Sequence, residues 1–249
     1  MLSVIIITKN ESQHIRRCLE SVSWADEIIV YDSGSEDETV SICKEFTPNV
    51  FITDWPGFGL QKQRALDQAS QHWVLSIDAD EEISSNLKDE ILKAISSDSF
   101  DSYEIPRLSS YCGKEIKHGG WWPDYIVRLF KRDTGKFSSD LVHERIIING
   151  SIGKLNNPIL HEAFINPEEV LTKINNYSSL GAQKLFNRGK RITLGGSITR
   201  ALWTFFRTYI IKASCLDGCE GLMLAISNAE GTYYKYLKLR SLNLNNPKS

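Results

Sequence analysis

The chain has 249 residues, of which 41% are hydrophobic and 24% are charged, so it reads as a globular protein with room for one large domain and an appendage. Its net charge of −2 is unevenly divided: residues 1–164 hold 17 Lys and Arg against 26 Asp and Glu, whereas residues 165–249 hold 12 against 5. Residues 1–164 are too acidic to form a nucleic-acid-binding surface, and we expect no nucleic-acid partner. The basic part can meet phosphates or anionic lipid.

Strands and helices alternate through the first hundred residues. Continuous apolar runs predict buried strands, and apolar residues at helical spacing predict the helices between them. The predicted strands are Leu2–Thr8, Ile28–Tyr31, Val50–Ile52 and Trp73–Ile77, and the predicted helices begin near Ile15, at a capping box formed by Ser35–Glu38, at Gln61 and at Ser85. This alternation predicts an α/β fold with a Rossmann-like, mostly parallel sheet flanked by helices.

Beyond about residue 100 the pattern changes to short strands separated by loops. The predicted strands here are Tyr103–Pro106, Tyr125–Phe130, Ile146–Ile148 and Ile159–His161. Asn166 followed by Pro167 and two acidic residues is a strong helix start, and the chain is predicted to be mostly helical from there to Leu239. We therefore expect a catalytic domain over residues 1–164 and a helical, basic region over 165–249.

Polar residues follow three of the predicted parallel strands. Thr8 and Asn10 follow the first, Asp32 follows the second, and Asp78 and Asp80 follow the fourth. Because parallel strands end at one edge of a sheet, these groups should face one crevice, where ligands of such sheets bind. A pair of carboxylates there suits a divalent cation that also binds phosphate oxygens. Asp32 can accept a hydrogen bond from an N–H of a nucleotide base. Alternatively, it stabilises the turn that follows the strand and caps the next helix.

Phosphate recognition must rely on side chains and metal. No Gly-rich dinucleotide fingerprint follows the first strand, and no P-loop sequence is present. Lys62 and Arg64 are placed to neutralise phosphate charge. Alternatively, these two residues lie on a solvent-exposed face of a helix and bind no ligand. In the Gly-rich loop that follows, Trp121 and Trp122 can stack on a sugar or pack beneath the loop.

A transfer to a hydroxyl needs a general base within hydrogen-bond reach. Glu144 is the first candidate, and Asp124 and Asp140 stand behind it. His143 can orient the base or approach the metal, and His161 is a weaker candidate for the same roles. Alternatively, His143 and Glu144 form a hydrogen-bonded pair with a structural and not a catalytic role.

Four segments, taken in order, resemble family 2 glycosyltransferases of the GT-A fold. Three further segments are similar to a narrower group, the bacterial lipopolysaccharide-core β-1,4-glucosyltransferases. The family segments are Ser3–Glu11, Val30–Thr39, Asp54–Gly59 and Leu75–Glu81, and the group segments are Gly120–Asp124, Arg128–Phe130 and Val142–Glu144.

The resemblance implies inverting transfer of a hexose, with UDP-glucose as the expected donor, to an inner-core heptose of a lipid A-linked acceptor. It implies that Thr8, Asn10 and Asp32 contact the uracil and that Lys62 lies near the base or phosphate. Asp78 would face the ribose or the metal, and Asp80 would ligate Mg²⁺ or Mn²⁺. The chain departs from many members at Ser33, where a second acid is common.

The segment Arg200–Ala213 has the pattern of a helix that lies on a membrane. Ala201, Leu202, Phe205, Phe206, Tyr209, Ile210 and Ala213 are predicted to share one side, with Arg200 and Arg207 opposite. Such a helix can rest in an anionic interface, or the same side can pack on the protein.

We expect no signal peptide, because Met1–Ile7 lacks a basic leader and a cleavage site and its apolar run is too short. No stretch approaches the length of a membrane span, and we expect a cytoplasmic protein at the inner face of the cytoplasmic membrane. A nucleotidyltransferase and a catalytically silent nucleotide-sugar-binding module are the alternative functions. The sequence leaves the oligomeric state open.

Overall fold

A computed structural model describes residues 1–138 and 145–245. The strands of this part are β1 (Leu2–Thr8), β2 (Glu27–Asp32), β3 (Val50–Ile52), β4 (Trp73–Asp78), β5 (Glu81–Ile83), β6 (Ser102–Tyr111), β7 (Lys114–Glu115), β8 (Asp124–Lys131), β9 (Gly135–Phe137), β10 (Ile146–Ile148), β11 (Ile152–Lys154) and β12 (Ile159–Phe164). The helices are α1 (Ile15–Ser21), α2 (Thr39–Phe46), α3 (Phe58–Gln68), α4 (Ser85–Ser97), α5 (Pro167–Asn187), α6 (Leu194–Phe206) and α7 (Gly218–Asn245). A π-helical segment, Arg207–Ile211, continues α6.

The chain divides into two compact units. The first unit consists of Met1–Arg107 and Asp124–His161, and the second consists of Leu108–Pro123 and the chain from Glu162 onward. The second unit thus takes in a segment that precedes its helices by some forty residues in the chain. The predicted division after residue 164 stays a prediction.

Four parallel strands form one end of the sheet. Their order is β3-β2-β1-β4, and β8 then joins β4 in the antiparallel direction. Every residue of β1 is buried, because the strand is covered on both faces. Val4 and Ile6 pack on the side of α1, α2 and α4, whereas Ile5 and Ile7 pack on the side of α3. The predicted α/β class, with helices on both faces of the sheet, is confirmed.

Two features of the fold differ from expectation. The capping box predicted at Ser35–Glu38 is wrong, because α2 begins at Thr39 and Glu38 makes no capping hydrogen bond through its side chain. The Ser35 hydroxyl instead donates to Asp32, and the Asp37 carboxylate accepts from the Thr39 amide. The short strands β5, β7, β9 and β11 were also not predicted, since none of them is a continuous apolar run, unlike the three-residue strands β3 and β10.

The second unit is built mainly from α5, α6 and α7. The predicted start of α5 is confirmed: the Asn166 side chain accepts from the Glu169 amide at 2.9 Å, and Pro167 opens the helix. Trp121 is partly buried and packs against Tyr111 and Phe164, at the edge of a hydrophobic cluster of this unit. Among the residues that the structure describes, no helix combines the length and the apolar character needed to cross a bilayer.

Candidate active site

The ends of three parallel strands meet at one edge of the sheet in the first unit. Thr8 of β1 is in register with Asp32 of β2, and Ile7 of β1 is in register with Asp78 of β4. Apolar residues, many of them β-branched, make up most of each strand, and Thr8, Asp32 and Asp78 are the last residues of β1, β2 and β4. The edge is therefore the place at which the predicted binding groups converge.

Hydrogen bonds tie the loop after β1 to the loop after β2. The Asn10 amide donates to the Ser35 hydroxyl at 2.8 Å, and the Asn10 side-chain oxygen accepts from the Glu36 amide at 2.8 Å. Asn10 has a φ of +55°, a value that asparagine tolerates better than most residues. These contacts hold the two loops together as one surface.

The Asp32 carboxylate is fully buried and shapes its own loop. It accepts from the amides of Gly34 and Ser35 at 2.9 and 2.8 Å, and from the Ser35 hydroxyl. Gly34 has a φ of +80°, so this turn favours glycine. The turn role weighed for Asp32 is thus present. The uracil contacts expected of Thr8, Asn10 and Asp32 stay predictions.

Thr8 has a buried hydroxyl at the same edge. Its oxygen has no hydrogen-bond partner among the residues that the structure describes. An unpaired buried hydroxyl costs free energy, and a ligand that hydrogen-bonds to it removes that cost.

Two buried cations hold the Asp78 carboxylate. Lys62 Nζ lies 2.9 Å from Oδ1, and Arg128 Nη2 lies 2.5 Å from Oδ2. Loss of hydration would by itself raise the pKa of Asp78, but the charges of Arg128 and Lys62 outweigh it and hold that pKa well below its usual value. Asp78 is therefore a carboxylate at neutral pH, with both oxygens already engaged.

The charged cluster extends from Asp78 to Glu81, whose side chain is fully buried. Glu81 accepts from Arg128 at 2.7 Å and from the Asp78 amide at 2.9 Å. Burial raises the pKa of Glu81, although the charge of Arg128 opposes that shift.

Arg107 lies 3.5 Å from Glu81 and forms a closer bond, at 2.7 Å, to Asp124. Arg128, Glu81 and Arg107 were not among the site residues predicted from the sequence. The available signal was a charged residue at an inward position of an otherwise apolar strand, as at Arg128 in β8.

Asp80 lies next to His161 at the end of β4. Asp80 Oδ2 is 3.3 Å from His161 Nε2, and both side chains are partly exposed. A carboxylate and an imidazole are suitable ligands for Mn²⁺, and Mg²⁺ commonly takes one or two protein carboxylates with phosphate oxygens completing its shell. No group of three or more metal-binding side chains occurs in the described parts of the chain, so a cation held by Asp80 and His161 would take further ligands from substrate oxygens and water. On that condition the residues present fit a divalent cation.

The other predicted site residues lie apart or outside the described residues. Arg64 contacts Asp54 at 2.8 Å on an exposed face of α3, whereas Lys62 of the same helix is buried against Asp78. Asp140, His143 and Glu144 fall in residues 139–144, outside the described part. Asp124 is described, and one of its carboxylate oxygens already accepts a hydrogen bond from Arg107 at 2.7 Å.

Comparisons with known proteins place the chain among sugar transferases. The family described as "Glycosyl transferase family 2" matches residues 3–148. An uncharacterized glycosyltransferase of Rickettsia prowazekii is 32% identical over 98% of this chain and 88% of its own length. The lipopolysaccharide core biosynthesis glycosyltransferase LpsC of Rhizobium meliloti is 31% identical over 92% of this chain and 87% of its own length.

Among solved structures, residues 1–349 of S. aureus TarS in complex with UDP-GlcNAc have 15% sequence identity and a TM-score of 0.49. The match covers 98% of this chain and 92% of that one.

Proposed function

The chain belongs to glycosyltransferase family 2, and from this premise we propose a specific reaction. It transfers a hexosyl group, expected to be glucose, from a UDP-sugar to a heptose hydroxyl in the inner core of a lipid A-linked acceptor. The observation that carries the proposal is the single sheet edge shared by Thr8, Asp32 and Asp78. Similarity to LpsC over nearly the whole chain supports the acceptor class.

Donor binding divides between two groups of residues. The joined loops carrying Thr8, Asn10 and Asp32 bind the uracil, and the buried threonine hydroxyl gains a partner there. Asp80, with His161 beside it, would hold a divalent cation, Mg²⁺ or Mn²⁺. When bound, the metal acts as a Lewis acid toward the phosphate oxygens. Lys62 and Arg128 keep Asp78 ionised and fixed beneath the donor.

The transfer is a single displacement with inversion. The acceptor oxygen attacks the anomeric carbon from the face opposite to the diphosphate, and the bond to the leaving oxygen breaks with its electron pair going to UDP. A carboxylate takes the proton of the attacking hydroxyl. Glu144 is the first candidate for this base, ahead of Asp124 and Asp140, and His143 would orient it.

The second unit exposes an apolar strip that suits the surface of an anionic membrane. The strip consists of Ile198, Leu202, Trp203, Phe206, Ile210 and Ile211, each between 44% and 65% exposed. Arg191 and Arg207 are exposed in the same stretch of chain. Peripheral binding at the inner leaflet would bring the enzyme to a lipid-linked acceptor.

The residues predicted to share one side of the helix Arg200–Ala213 fall into two groups, one packed on the protein and one exposed. Ala201 and Phe205 line a groove with α7 residues, and the Thr204 hydroxyl lies 3.3 Å from that of Thr232. Leu202, Phe206 and Ile210 are the members that remain exposed. Both packing and exposure therefore occur on this helix, and the exposed strip is the part proposed to meet lipid.

Release of UDP from UDP-glucose tests the proposed reaction. We expect release to require Mg²⁺ or Mn²⁺ and to accelerate when a lipid A-linked core oligosaccharide that ends in heptose is added. A silent binding module would bind UDP-glucose without releasing UDP. A nucleotidyltransferase would release pyrophosphate from UTP in the presence of a sugar phosphate. Either of these results would refute the proposed reaction.

A further inference from the structure

A groove of about 320 Å³ lies between α5 and α7 of the second unit. Its volume is within the range of small-molecule sites. Phe164 and residues of α5 form one wall, and residues of α7 form the other. No residue assigned to donor binding or to the exposed apolar strip lines it, so the groove has no part in the function proposed above.

Two lysines of this groove have no carboxylate partner. Lys173 Nζ donates to the backbone oxygen of Ala163 at 2.8 Å and lies 4.7 Å from the centre of the Phe164 ring. Lys235 Nζ lies 5.1 Å from the centre of the Tyr236 ring. Neither lysine forms an ion pair with a residue that the structure describes. Their positive charges are therefore not neutralised by direct contact with an acid in this part of the chain.

A third lysine adds positive charge beside the groove. Lys238 Nζ donates to oxygens of Asn175, Ser178 and Ser179, all of which are neutral residues. A cation held by neutral oxygens keeps its full charge. The seam between α5 and α7 thus carries three ammonium groups.

The nearby acids do not cancel this charge. Glu169, four residues before Lys173, accepts from the Ile165 amide at 2.9 Å, and Glu230, five residues before Lys235, lines the groove on the α6 side of α7. Even when both acids are set against the three lysines, one positive charge remains. No acid lines the α5–α7 groove itself, so its charge favours an anionic ligand.

Gly231 widens the groove from the middle of α7. Glycine is less favourable than alanine inside a helix, so a glycine at this position calls for a reason. Packing among the described residues supplies none, because a Cβ here would meet Ile174 Cγ1 at 4.0 Å, an ordinary contact. At Gly181 of α5, by contrast, a Cβ would lie 2.9 Å from Lys235. The space at Gly231 is therefore left for a group that is not part of the described chain.

The remaining lining suits a sugar. Ser227, Asn228 and Thr232 supply hydroxyl and amide groups from α7, and Tyr177, which is 65% exposed, supplies an aromatic ring from α5. Hydroxyl and amide groups form hydrogen bonds with sugar hydroxyls, and an aromatic ring offers rigid apolar contact to a sugar face. Lysine is a common phosphate ligand. Together these groups fit a sugar that carries a phosphate.

This groove lies on a different face of α7 from the groove beside α6. Ser227, Gly231 and Lys235 are spaced by four residues and share one face of the helix. The α6 groove is lined by other residues of α7, and it includes Leu202 of the exposed apolar strip. The strip proposed to meet lipid therefore adjoins the α6 groove, which favours a saccharide over a lipid headgroup as the source of the phosphate at the α5–α7 groove.

We propose that the α5–α7 groove binds a phosphorylated saccharide, with Lys173 and Lys235 at its phosphate and Tyr177 at its sugar. The inference rests on the proposed function for one point, that this saccharide is part of the acceptor. The groove holds the acceptor and contributes no group to the reacting atoms.

Glucose 6-phosphate is the probe, and NMR titration of the full ¹⁵N-labelled chain measures its Kd. Glucose lacks the phosphate, and glycerol 3-phosphate presents the phosphate of a lipid headgroup without a sugar. We expect glucose 6-phosphate to bind about tenfold more tightly than either, the usual gain from a hydrogen bond to a charged group. Absence of binding, or equal binding of glycerol 3-phosphate, would overturn the proposal. Displacement of the probe by UDP would assign it to the donor site and also overturn it.

Two substitutions locate the probe in the groove. Lys235→Gln should weaken binding by about tenfold or more, whereas Lys184→Gln, which changes an exposed lysine of α5 outside the groove, should not. Gly231→Ala should raise the Tm through helix propensity and yet weaken binding by about fivefold or more, because its methyl group enters the groove. Gly195→Ala is its control, since this glycine lies on α6 outside the groove. Unchanged binding by Lys235→Gln or Gly231→Ala would overturn the proposal.

The kinetics of UDP release test the link to the acceptor. Lys235→Gln should raise the KM for the acceptor and leave the KM for the UDP-sugar unchanged. A higher KM for the UDP-sugar alone would assign the lysine to the donor and overturn the proposal. The NMR titrations need no turnover, so failure of the transferase function is distinguished from failure of this inference.

Discussion

Arg128 donates to Asp78 at 2.5 Å from the middle of a strand, at a position where its neighbours Leu129 and Phe130 are fully buried. The same guanidinium also donates to the buried Glu81. Burial would lower the pKa of Arg128, but the two carboxylates raise it, so the arginine stays charged. One cation thus holds two acids in place at the end of β4.

Replacement of Arg128 by methionine should destabilise the protein strongly. Removing one partner of a buried ion pair typically costs about 3–5 kcal/mol, because the remaining charge is left without compensation. Among the described residues, Glu81 would then keep the Asp78 amide and, as a cationic partner, the more distant Arg107 at 3.5 Å. Urea unfolding at pH 7 measures the loss. Arg16→Met is the control, since Arg16 and Glu45 form an exposed pair that should contribute at most about 1 kcal/mol. Equal losses in the two variants would contradict this account.

Asp80→Ala should abolish transfer and leave the fold intact. Asp80 is partly exposed beside His161, so its removal leaves no buried charge behind. Loss of a metal ligand should slow UDP release by roughly a hundredfold or more. Asp133→Ala, which removes an acid with an 80% exposed side chain, should release UDP at the normal rate. Full activity of Asp80→Ala, with an unchanged circular dichroism spectrum, would remove Asp80 from the metal site.

The double substitution Leu202→Ser and Trp203→Ser should weaken binding to vesicles that contain anionic lipid. These residues are 65% and 57% exposed on α6 and supply apolar area to the interface. Leu171→Ser with Leu180→Ser is the matched control, because these residues are 57% and 59% exposed on α5. Co-sedimentation measures binding, which should also fall as salt is raised. Equal binding to neutral vesicles would count against membrane attraction by charge.

Asp101→Asn should lower the stability of the protein at pH 7 by an amount that disappears in acid. The Ser151 amide and hydroxyl, each 2.8 Å away, and Lys131 lower the pKa of Asp101 to about 2. A carboxylate whose pKa is lowered by folding stabilises the protein above its unfolded pKa, near 4, and loses that contribution as pH falls toward 2. Thermal unfolding of both forms between pH 7 and pH 2 tests this. A difference in Tm that is independent of pH would show that the charge is not responsible.

Gly221→Ala should prevent normal packing of the start of α7. A Cβ at this position would lie 1.7 Å from the backbone oxygen of Ser214, which a side-chain rotation cannot relieve. We expect a loss of about 3 kcal/mol or more in the free energy of unfolding. Gly195→Ala is the control, because a Cβ there meets nothing within 4 Å and alanine favours helix. Similar stability of the two variants would contradict the clash.

The parts of the fold whose signals in the sequence are local could be predicted. The apolar run Leu2–Thr8 gives β1 at its observed bounds, and Asn166 with Pro167 marks the true start of α5. The ion cluster was not predictable in this way. Arg128 lies 50 residues from Asp78 and 47 from Glu81, so only the assembled sheet brings the three together.

Helix geometry also separates two residues that were considered together. Lys62 and Arg64 are two positions apart, which is about 200° around an α-helix, so they face opposite directions. Lys62 is buried against Asp78 and Arg64 contacts Asp54 in solvent. The predicted base Glu144 and its neighbours Asp140 and His143 lie outside the described residues, and their roles stay predictions.

The hydrogen bonds that Asn10 makes to Ser35 and Glu36 have a consequence for how nucleotide preference can evolve. Two segments separated by some twenty-five positions in the chain behave as one rigid platform, so the entropy of assembling it is spent during folding and not at each encounter with substrate. A substitution on either segment alone would shift the other. Acquiring a different base should therefore require coordinated changes on both.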